Sequence, residues 1–288
     1  MFINKKKGND IMDELRLMYE CFRKAFEEFD LSYDVFSHKL SWGKNTYLTR
    51  YDKDNLVGFA IVRNDNLCCL CVDPLYQNKG IGSSLLKEAE DIIKANGFNK
   101  VNLGGGFFLA CPLRGKDINN NFFSKRGYIG KQTCYEMKMD LDEFDLSNAP
   151  INNDLDDVIF KYNDHEFSDV TSAVAKVSKE WVKFFHDSGS CYIAEKKGKV
   201  VGFCNISFDD PTLVSRKGIK VGNVGCVGVI PSARKAGIGL TMVAYATNEL
   251  KKHNVAIGHI HYTDLEKWYS KLGYKTYINY WFGYKRLR

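Results

Sequence analysis

The chain has 288 residues, 44% of them hydrophobic and 26% charged. That is the composition of a globular protein, and at roughly 100–200 residues per domain it suits one large domain or two small ones. The net charge of +6 is too small and too spread to call for nucleic acid as a partner, and no apolar run approaches the ~20 residues of a membrane-spanning helix.

The first residues carry Lys5, Lys6 and Lys7 with no apolar stretch behind them, so they do not read as a secretory signal. Met12 can serve as a start, with the residues before it a solvated leader. Residues 67–72 read as a buried strand, followed by a turn through Pro74. An amphipathic helix comes next, with Leu85, Leu86, Ala89, Ile92 and Ile93 at helical spacing and Gly97 as its stop. Residues 100–103 form a further strand. A long loop leads from Gly104 to Asn121, a short helix ends at Gly127, and two strands close the segment. The acidic stretch 142–157, with Pro150, reads as a boundary.

The second part runs through the same order. A helix is expected over 178–185 and a strand over 200–208. The Asp209-Asp210-Pro211 turn begins a longer hairpin, and a buried strand covers 224–229. A turn through Pro231 opens a helix marked by Leu240, Val243, Ala244 and Thr247. Then come a strand over 256–260, a short helix ending at Gly273, and closing strands rich in aromatics over 277–288. Those aromatics alternate with Lys285, Arg286 and Arg288, a mixture that can serve nucleic acid. Packed closing strands account for it better at this net charge.

The two parts are copies. Val72, Pro74, Gln77, Gly80 and Gly82 map onto Val229, Pro231, Arg234, Gly237 and Gly239 at one constant offset. Val57-Gly58-Phe59 maps upstream onto Val201-Gly202-Phe203, and 123–128 maps downstream onto 269–274. The division expected is an N-terminal domain over 1–145, a linker over 146–157 and a C-terminal domain over 158–288. Each domain has a mixed sheet and flanking helices, an α/β or α+β unit.

A strand that runs through a glycine turn into a helix makes an anion site, because the first helical N–H groups are unpaired and the helix dipole favours negative charge. Glycine lets a diphosphate approach the backbone. Residues 77–82 and 234–239 meet that need, with Lys79, Arg234 and Lys235 adding positive charge. Leu85 and Met242 occupy the third glycine position of a dinucleotide fingerprint, and neither turn carries a P-loop lysine.

With the V-x-P-x-x-[QR]-x-x-G-I-G pattern present twice, each followed by an aromatic block ending in Gly-Tyr, the chain resembles the GCN5-related N-acetyltransferase (GNAT) superfamily in its bacterial tandem form. The resemblance implies two GNAT domains, each a mixed, mostly antiparallel sheet with helices. It implies acetyl-CoA as acyl donor, its pyrophosphate on the turns and its pantetheine arm along the preceding strands. The implied cofactor residues are Leu70, Cys71, Val72, Gln77, Asn78, Lys79, Gly80, Ile81, Gly82 and Ser83. In the second copy they are Val227, Gly228, Val229, Arg234, Lys235, Ala236, Gly237, Ile238, Gly239 and Leu240. An amine would attack the thioester directly, with Tyr269 as general acid. Phe123 stands in that place in the first copy and cannot donate a proton. A catalytic C-terminal half is therefore expected, with the N-terminal half degenerate, regulatory or shaping the acceptor site. The acceptor is expected to be a small-molecule amine. The alternatives are a non-catalytic acyl-CoA-binding or regulatory protein and a protein N-acetyltransferase. The chain is expected in the cytoplasm, as a monomer with pseudo-dimeric halves or as a homodimer, without membrane or nucleic acid.

The general base stays open among Asp209, Asp210 and Glu180, each of which also fits an ordinary turn or surface position. Asp73 reads as a turn residue, since Ile230 is its counterpart. His259 and His261 alternate on one strand and so share a face, while His186 and His253 stand apart. No Cys-x-x-Cys pair and no third ligand at metal spacing accompanies them, so structural histidines and no metal site are expected. The nine cysteines fit structural thiols in a reducing compartment.

Overall fold

The computed structural model describes residues 11–27, 29, 31–41, 43–104, 111–113, 121–163, 168–185, 191–210 and 218–288. The chain forms two compact units. The first comprises 1–134 and 278–288, the second 135–277.

Helix α1 (Ile11–Ala25) carries Asp13 and Glu14 in its first turn and Arg23 and Lys24 in its last, complementing the helix dipole. Helix α2 (Tyr33–Leu40) starts at Ser32, whose hydroxyl accepts from the Val35 N–H. Strands β1 (Thr46–Asp52), β2 (Asn55–Arg63) and β3 (Asn66–Val72) form an antiparallel meander. Seven consecutive residues of β2 are buried, as befits a strand covered on both faces, and α1 and α3 (Ile81–Ala95) both pack on it. Strand β4 (Lys100–Leu103) runs parallel to β3, and β5 is the short strand Cys111–Leu113.

Strand β6 (Thr133–Asp140) lies in the second unit from Tyr135 onward. There follow β7 (Val158–Asn163), α4 (Ser168–Ala175), β8 (Cys191–Lys196), β9 (Lys199–Ser207) and β10 (Val221–Val229). Helix α5 (Ile238–Lys252), β11 (Ile257–Thr263), the short helix α6 (Glu266–Tyr269), β12 (Lys275–Trp281) and β13 (Tyr284–Arg286) complete the chain. In the first unit the strands lie in the order β1-β2-β3-β4-β13, in the second β7-β8-β9-β10-β11-β6. Each sheet is antiparallel except for one pair, β3 with β4 and β10 with β11.

The units depart from the contiguous domains expected from the sequence. Strand β6 closes the first copy in sequence, yet it pairs with β11 through Ile257↔Asp140 and Ile260↔Met137. Strand β13 ends the second copy, yet it pairs with β4 through Tyr284↔Asn102 and Arg286↔Lys100. Each copy thus gives its closing strand to the sheet of the other. Duplicated domains offer equivalent strand edges, and local residue pattern does not distinguish them. The other expected elements lie within a residue or two of those observed, except that 178–185 is a 3₁₀ helix over Lys179–Phe184, β10 begins three residues earlier, at Val221, and β11 runs on to Thr263. Most of the long first-copy loop and half of the second-copy insertion lie outside the described residues.

Trp281 fixes the C-terminal segment in the first unit. It is buried among Val101, Leu103 and Tyr128, and its indole N–H donates to the Gly130 carbonyl at 3.1 Å. Trp281→Ala should therefore destabilise the first unit by about 3–5 kcal/mol, the usual cost of a large core truncation. Denaturant unfolding of the full chain measures this, and a change below about 1 kcal/mol would contradict the assignment of this segment to that core.

Candidate active site

The two glycine turns have the same local geometry. Asn78 and Lys235 hold φ of 61° and 70°, and Gly80 and Gly237, the N-caps of α3 and α5, hold 84° and 80°. The Gln77 side-chain amide donates to the Val72 carbonyl at 3.1 Å, and the Arg234 Nε–H donates to the Val229 carbonyl at 3.0 Å. The same side-chain brace therefore ties the turn to the end of its strand in each unit. The left-handed glycines start each helix abruptly, leaving its first N–H groups directed out of the turn.

The parallel pairs do not last. Strand β3 pairs with β4 only at Asn66↔Asn102 and Leu67↔Leu103, although it continues to Val72. Strand β10 pairs with β11 at Val221–Asn223 against Ile257–His259, although the two continue to Val229 and Thr263. On its other side β10 bulges between Gly225 and Gly228, with Cys226 at φ 48°. In the second unit β10 thus separates from its parallel neighbour, and in both units the strand continues past the pairing and runs into a helix N-terminus.

In the first unit a cavity of about 660 Å³ lies over this feature. Leu70, Val72, Gln77, Asn78, Gly80, Gly82 and Ser83 line it, as do Phe22, Phe26 and Phe29 and, from the aromatic block, Phe122, Phe123 and Arg126. A Cβ on Gly80 would meet nothing within 4 Å, so the turn is open. The other expected residues of this copy face elsewhere. Cys71 packs in the core against Cys21, Ile81 is a core residue, and the Lys79 ammonium donates to the Leu75 carbonyl at 3.0 Å.

The second turn is partly covered. The Asn152 side-chain amide donates to the Ala236 carbonyl, and a Cβ on Gly237 would stand 3.0 Å from that of Asn152. Ile238 is buried in the core, Val227, Val229 and Leu240 pack half-buried against it, and Lys235 is exposed. Gly239 lies against Val229 and Trp268, as Gly82 lies against Val72 and Phe122. Tyr269 belongs to the same core cluster as Val227 and Val229 and is 5% exposed. Burial pushes its phenol well above the ordinary range, so it holds its proton throughout the neutral range.

From the third paired residue of β11 onward lies a group that the sequence did not bring together. His259 and His261 share a face, as their alternation requires, and stand between two carboxylates. Glu136, from β6, has Oε2 3.1 Å from His259 Nε2 and 2.9 Å from His261 Nδ1. Asp210, just after β9, has Oδ2 2.7 Å from His261 Nε2 and 3.9 Å from His259 Nδ1. The remaining ring nitrogens, His259 Nδ1 and His261 Nε2, are 3.1 Å apart, and the Tyr277 hydroxyl is 2.8 Å from His259 Nε2. Burial opposes a charge on His261, but the hydrogen bonds and charges of Asp210 and Glu136 outweigh it and raise its pKa to about 9. Burial and the neighbouring imidazolium keep His259 neutral, while the two histidines hold Glu136 below the ordinary carboxylate range against the effect of burial.

Of the candidate bases, Asp210 joins this group, whereas Asp209 and Glu180 are exposed; among the other histidines, His186 lies outside the described residues. His253 instead stacks on Phe208 at 3.9 Å between ring centroids. Glu136 escaped sequence reasoning because it comes from a strand assigned there to the other copy. Asp73, read as a turn residue, caps the Leu75 N–H and pairs with Lys24 at 3.0 Å.

The acetyltransferase (GNAT) family profile matches residues 13–106, and an acetyltransferase (GNAT) domain profile matches 187–276. The two together take in more than half of the chain. It belongs to the GNAT family, with two such domains in tandem. No curated protein matches its sequence. Among solved structures it is similar to the GCN5-related glucosamine N-acetyltransferase region of a fungal multi-domain β-N-acetylglucosaminidase. The two are 21% identical with a TM-score of 0.74, over 99% of this chain and 38% of that one. The chain thus spans well under half the length of that protein. A GCN5-related N-acetyltransferase from Sphaerobacter thermophilus is 14% identical with a TM-score of 0.70, over 100% and 96% of the two chains. A tandem GNAT protein from the clavulanic acid biosynthesis pathway is 11% identical with a TM-score of 0.67, over 99% and 98%. At these identities the likeness is one of fold, and a GNAT fold supports acyl transfer from acyl-CoA. No helix among the described residues is long and apolar enough to cross a membrane.

The charged group makes stability depend on pH in a defined direction. With its pKa raised from 6.5 to about 9, His261 contributes stability that is complete below pH 6.5 and is lost as pH rises through 9. The melting temperature should fall across that window, and Asp210→Asn should shallow the fall. Scanning calorimetry at several pH values checks this, and a wild-type melting temperature that is flat from pH 6.5 to 9 would refute the charged arrangement.

Proposed function

We propose that the chain transfers an acetyl group from acetyl-CoA to the amine of a small acceptor, that the reaction takes place in the second unit, and that Tyr269 is its general acid. The observation that carries this reading is the combination found there. Strand β10 leaves β11, bulges at Cys226 and runs into the Gly237 turn, and Tyr269 packs in the cluster that holds Val227 and Val229.

Each part has a task in the reaction. The α5 N-terminus, with Arg234 and Lys235, would take the diphosphate. The separated edge of β10 has peptide groups to pair with the amides of a pantetheine arm, and a strand N–H beside the bulge would stabilise negative charge on the thioester oxygen. The amine attacks the thioester carbon directly, and orientation of the two substrates supplies much of the acceleration. A thiolate leaves, and the buried phenol of Tyr269 is protonated and able to donate to it.

The first unit keeps the cradle and has Phe123 where an acid would stand. The cavity over its turn favours the reading that this unit holds acyl-CoA without turning it over. Glucosamine is the acceptor to try first, because a structure sharing this fold over 99% of the chain is described as a glucosamine N-acetyltransferase region.

Calorimetric titration with acetyl-CoA should find two sites per chain, and no binding at millimolar ligand would overturn the reading. Thiol release with a panel of amino sugars, other small amines and peptides should show turnover on a small amine, and turnover on peptides alone would point to a protein acceptor. Tyr269→Phe should lower kcat by about 10²-fold, within the usual worth of a general acid, and leave acetyl-CoA binding in place. A variant with unchanged kcat would remove Tyr269 from the mechanism.

A further inference from the structure

We propose that the cavity of the first unit takes a medium-chain acyl-CoA, whose hydrocarbon chain runs past the thioester position into the aromatic pocket of Phe22, Phe26 and Phe29. This rests on the reading that the first unit holds acyl-CoA.

The first support is length. On that reading the diphosphate lies at the 77–83 turn and the thioester beside Leu70. The cavity does not end there. Its lining continues three residues back along β3 to Leu67, and to Leu103 on β4, the last rung at which the two strands pair. Three strand residues span about 10 Å. A zigzag of ~1.5 Å carbon–carbon bonds advances about 1.3 Å per carbon, so about eight carbons cover that distance. An acetyl methyl covers only its beginning and leaves the rest of the apolar wall against water.

The second support is the grading of the wall. The Phe26 N–H donates to the Phe22 carbonyl at 2.9 Å and the Phe29 N–H to the Phe26 carbonyl at 3.1 Å, so the last turn of α1 sets the three rings side by side. Their centroids are 5.1, 5.8 and 5.9 Å apart, which makes one continuous aromatic surface. Leu67 and Leu103 are buried beside the cavity. Burial pushes the thiol of Cys68, on the same wall, up to about 11, so it is uncharged at neutral pH. The one cation among the described lining residues, Arg126, is placed with the turn. Its guanidinium donates to the Ser83 hydroxyl at 2.7 Å and to the Phe122 carbonyl at 2.7 Å, and lies 3.9 Å from the centre of the Phe122 ring. The cavity is thus polar and cationic at one end and apolar at the other. That is the order of an anionic nucleotide head followed by a hydrocarbon tail.

The third support separates an acyl chain from an amine acceptor as the occupant of the far end. Among the described residues that line the cavity there is no carboxylate, no imidazole and no phenol. An ammonium group or a sugar entering this end would lose water and find neither an ion pair nor a proton acceptor. A hydrocarbon chain gains by the same burial. Phe123 and the aromatic pocket therefore belong together: a unit without an acid beside the thioester has given the remaining space to the tail of the ligand.

The test is calorimetric titration of the full chain with acetyl-, butanoyl- and octanoyl-CoA, and with octanoate alone. Each buried methylene is worth about fourfold in affinity, so over the six that separate acetyl from octanoyl one site should tighten by at least about 10²-fold, even with incomplete burial. Octanoate alone should bind at least about 10²-fold more weakly than octanoyl-CoA, because it lacks the part that the turn holds. Ala25→Phe and Cys69→Phe each add a ring inside the cavity, one from α1 and one from β3. Each should remove at least about tenfold of the octanoyl gain and keep acetyl-CoA affinity within about threefold. The two positions are independent, so a folding defect in one variant leaves the other to decide, and the wild-type series needs neither. Equal wild-type affinity for acetyl- and octanoyl-CoA would overturn this proposal and leave acyl-CoA binding by the first unit standing. A gain that persists in both variants would do the same, as would octanoate binding as tightly as octanoyl-CoA. Absence of binding by all three thioesters would overturn both readings.

Discussion

In each unit two parallel strands pair for two or three residues, and the strand that leads to the glycine turn continues beyond the pairing. Peptide groups along a separated edge need partners as much as those within a ladder do. A ligand with amides of its own can supply them, much as a peptide adds to a sheet edge. The glycine turn follows from the same feature. Its φ angles near +80° let the strand end and the helix begin within a few residues, so the separated edge and the helix N-terminus serve one extended ligand.

The two units have diverged on this shared frame. Gly80 looks into open space and a cavity, whereas Gly237 has Asn152 against it. The aromatic block supplies Phe122 and Phe123 in one unit and Trp268 and Tyr269 in the other. One hydroxyl distinguishes a residue that can donate a proton from one that cannot, and the unit that keeps the hydroxyl also holds the buried histidines and carboxylates. A group of this kind is a strong commitment for a fold, because carboxylates almost wholly withdrawn from water are tolerable only when they are hydrogen-bonded and balanced by positive charge. His261 supplies part of that balance here.

The exchange of closing strands joins these themes. Glu136 reaches the histidines because β6 pairs with β11 through His259↔Lys138 and its neighbours. Had each copy kept its own closing strand, that carboxylate would belong to the other unit and the histidines would lack their common acceptor. The duplication thus gave each sheet an equivalent edge, and the exchange placed a residue of the first copy beside the histidines of the second.

The sequence by itself determined what depends on neighbours along the chain. Strands such as β3 and β10, the helices after Gly80 and Gly237, the repeat of the turn and the contrast of Phe123 with Tyr269 were legible from apolar spacing, glycine and residue identity. These are local properties, since backbone conformation over a few residues is set by those residues. The alternation of His259 and His261 told equally that they share a face. Only the tertiary structure decided which face that was, and that Glu136 and Asp210 would meet them there, from more than a hundred and from about fifty positions away. It alone decided, too, which sheet took each closing strand. Those outcomes rest on burial and on strand edges competing for partners, energies that belong to the assembled fold and leave no periodic trace in the chain.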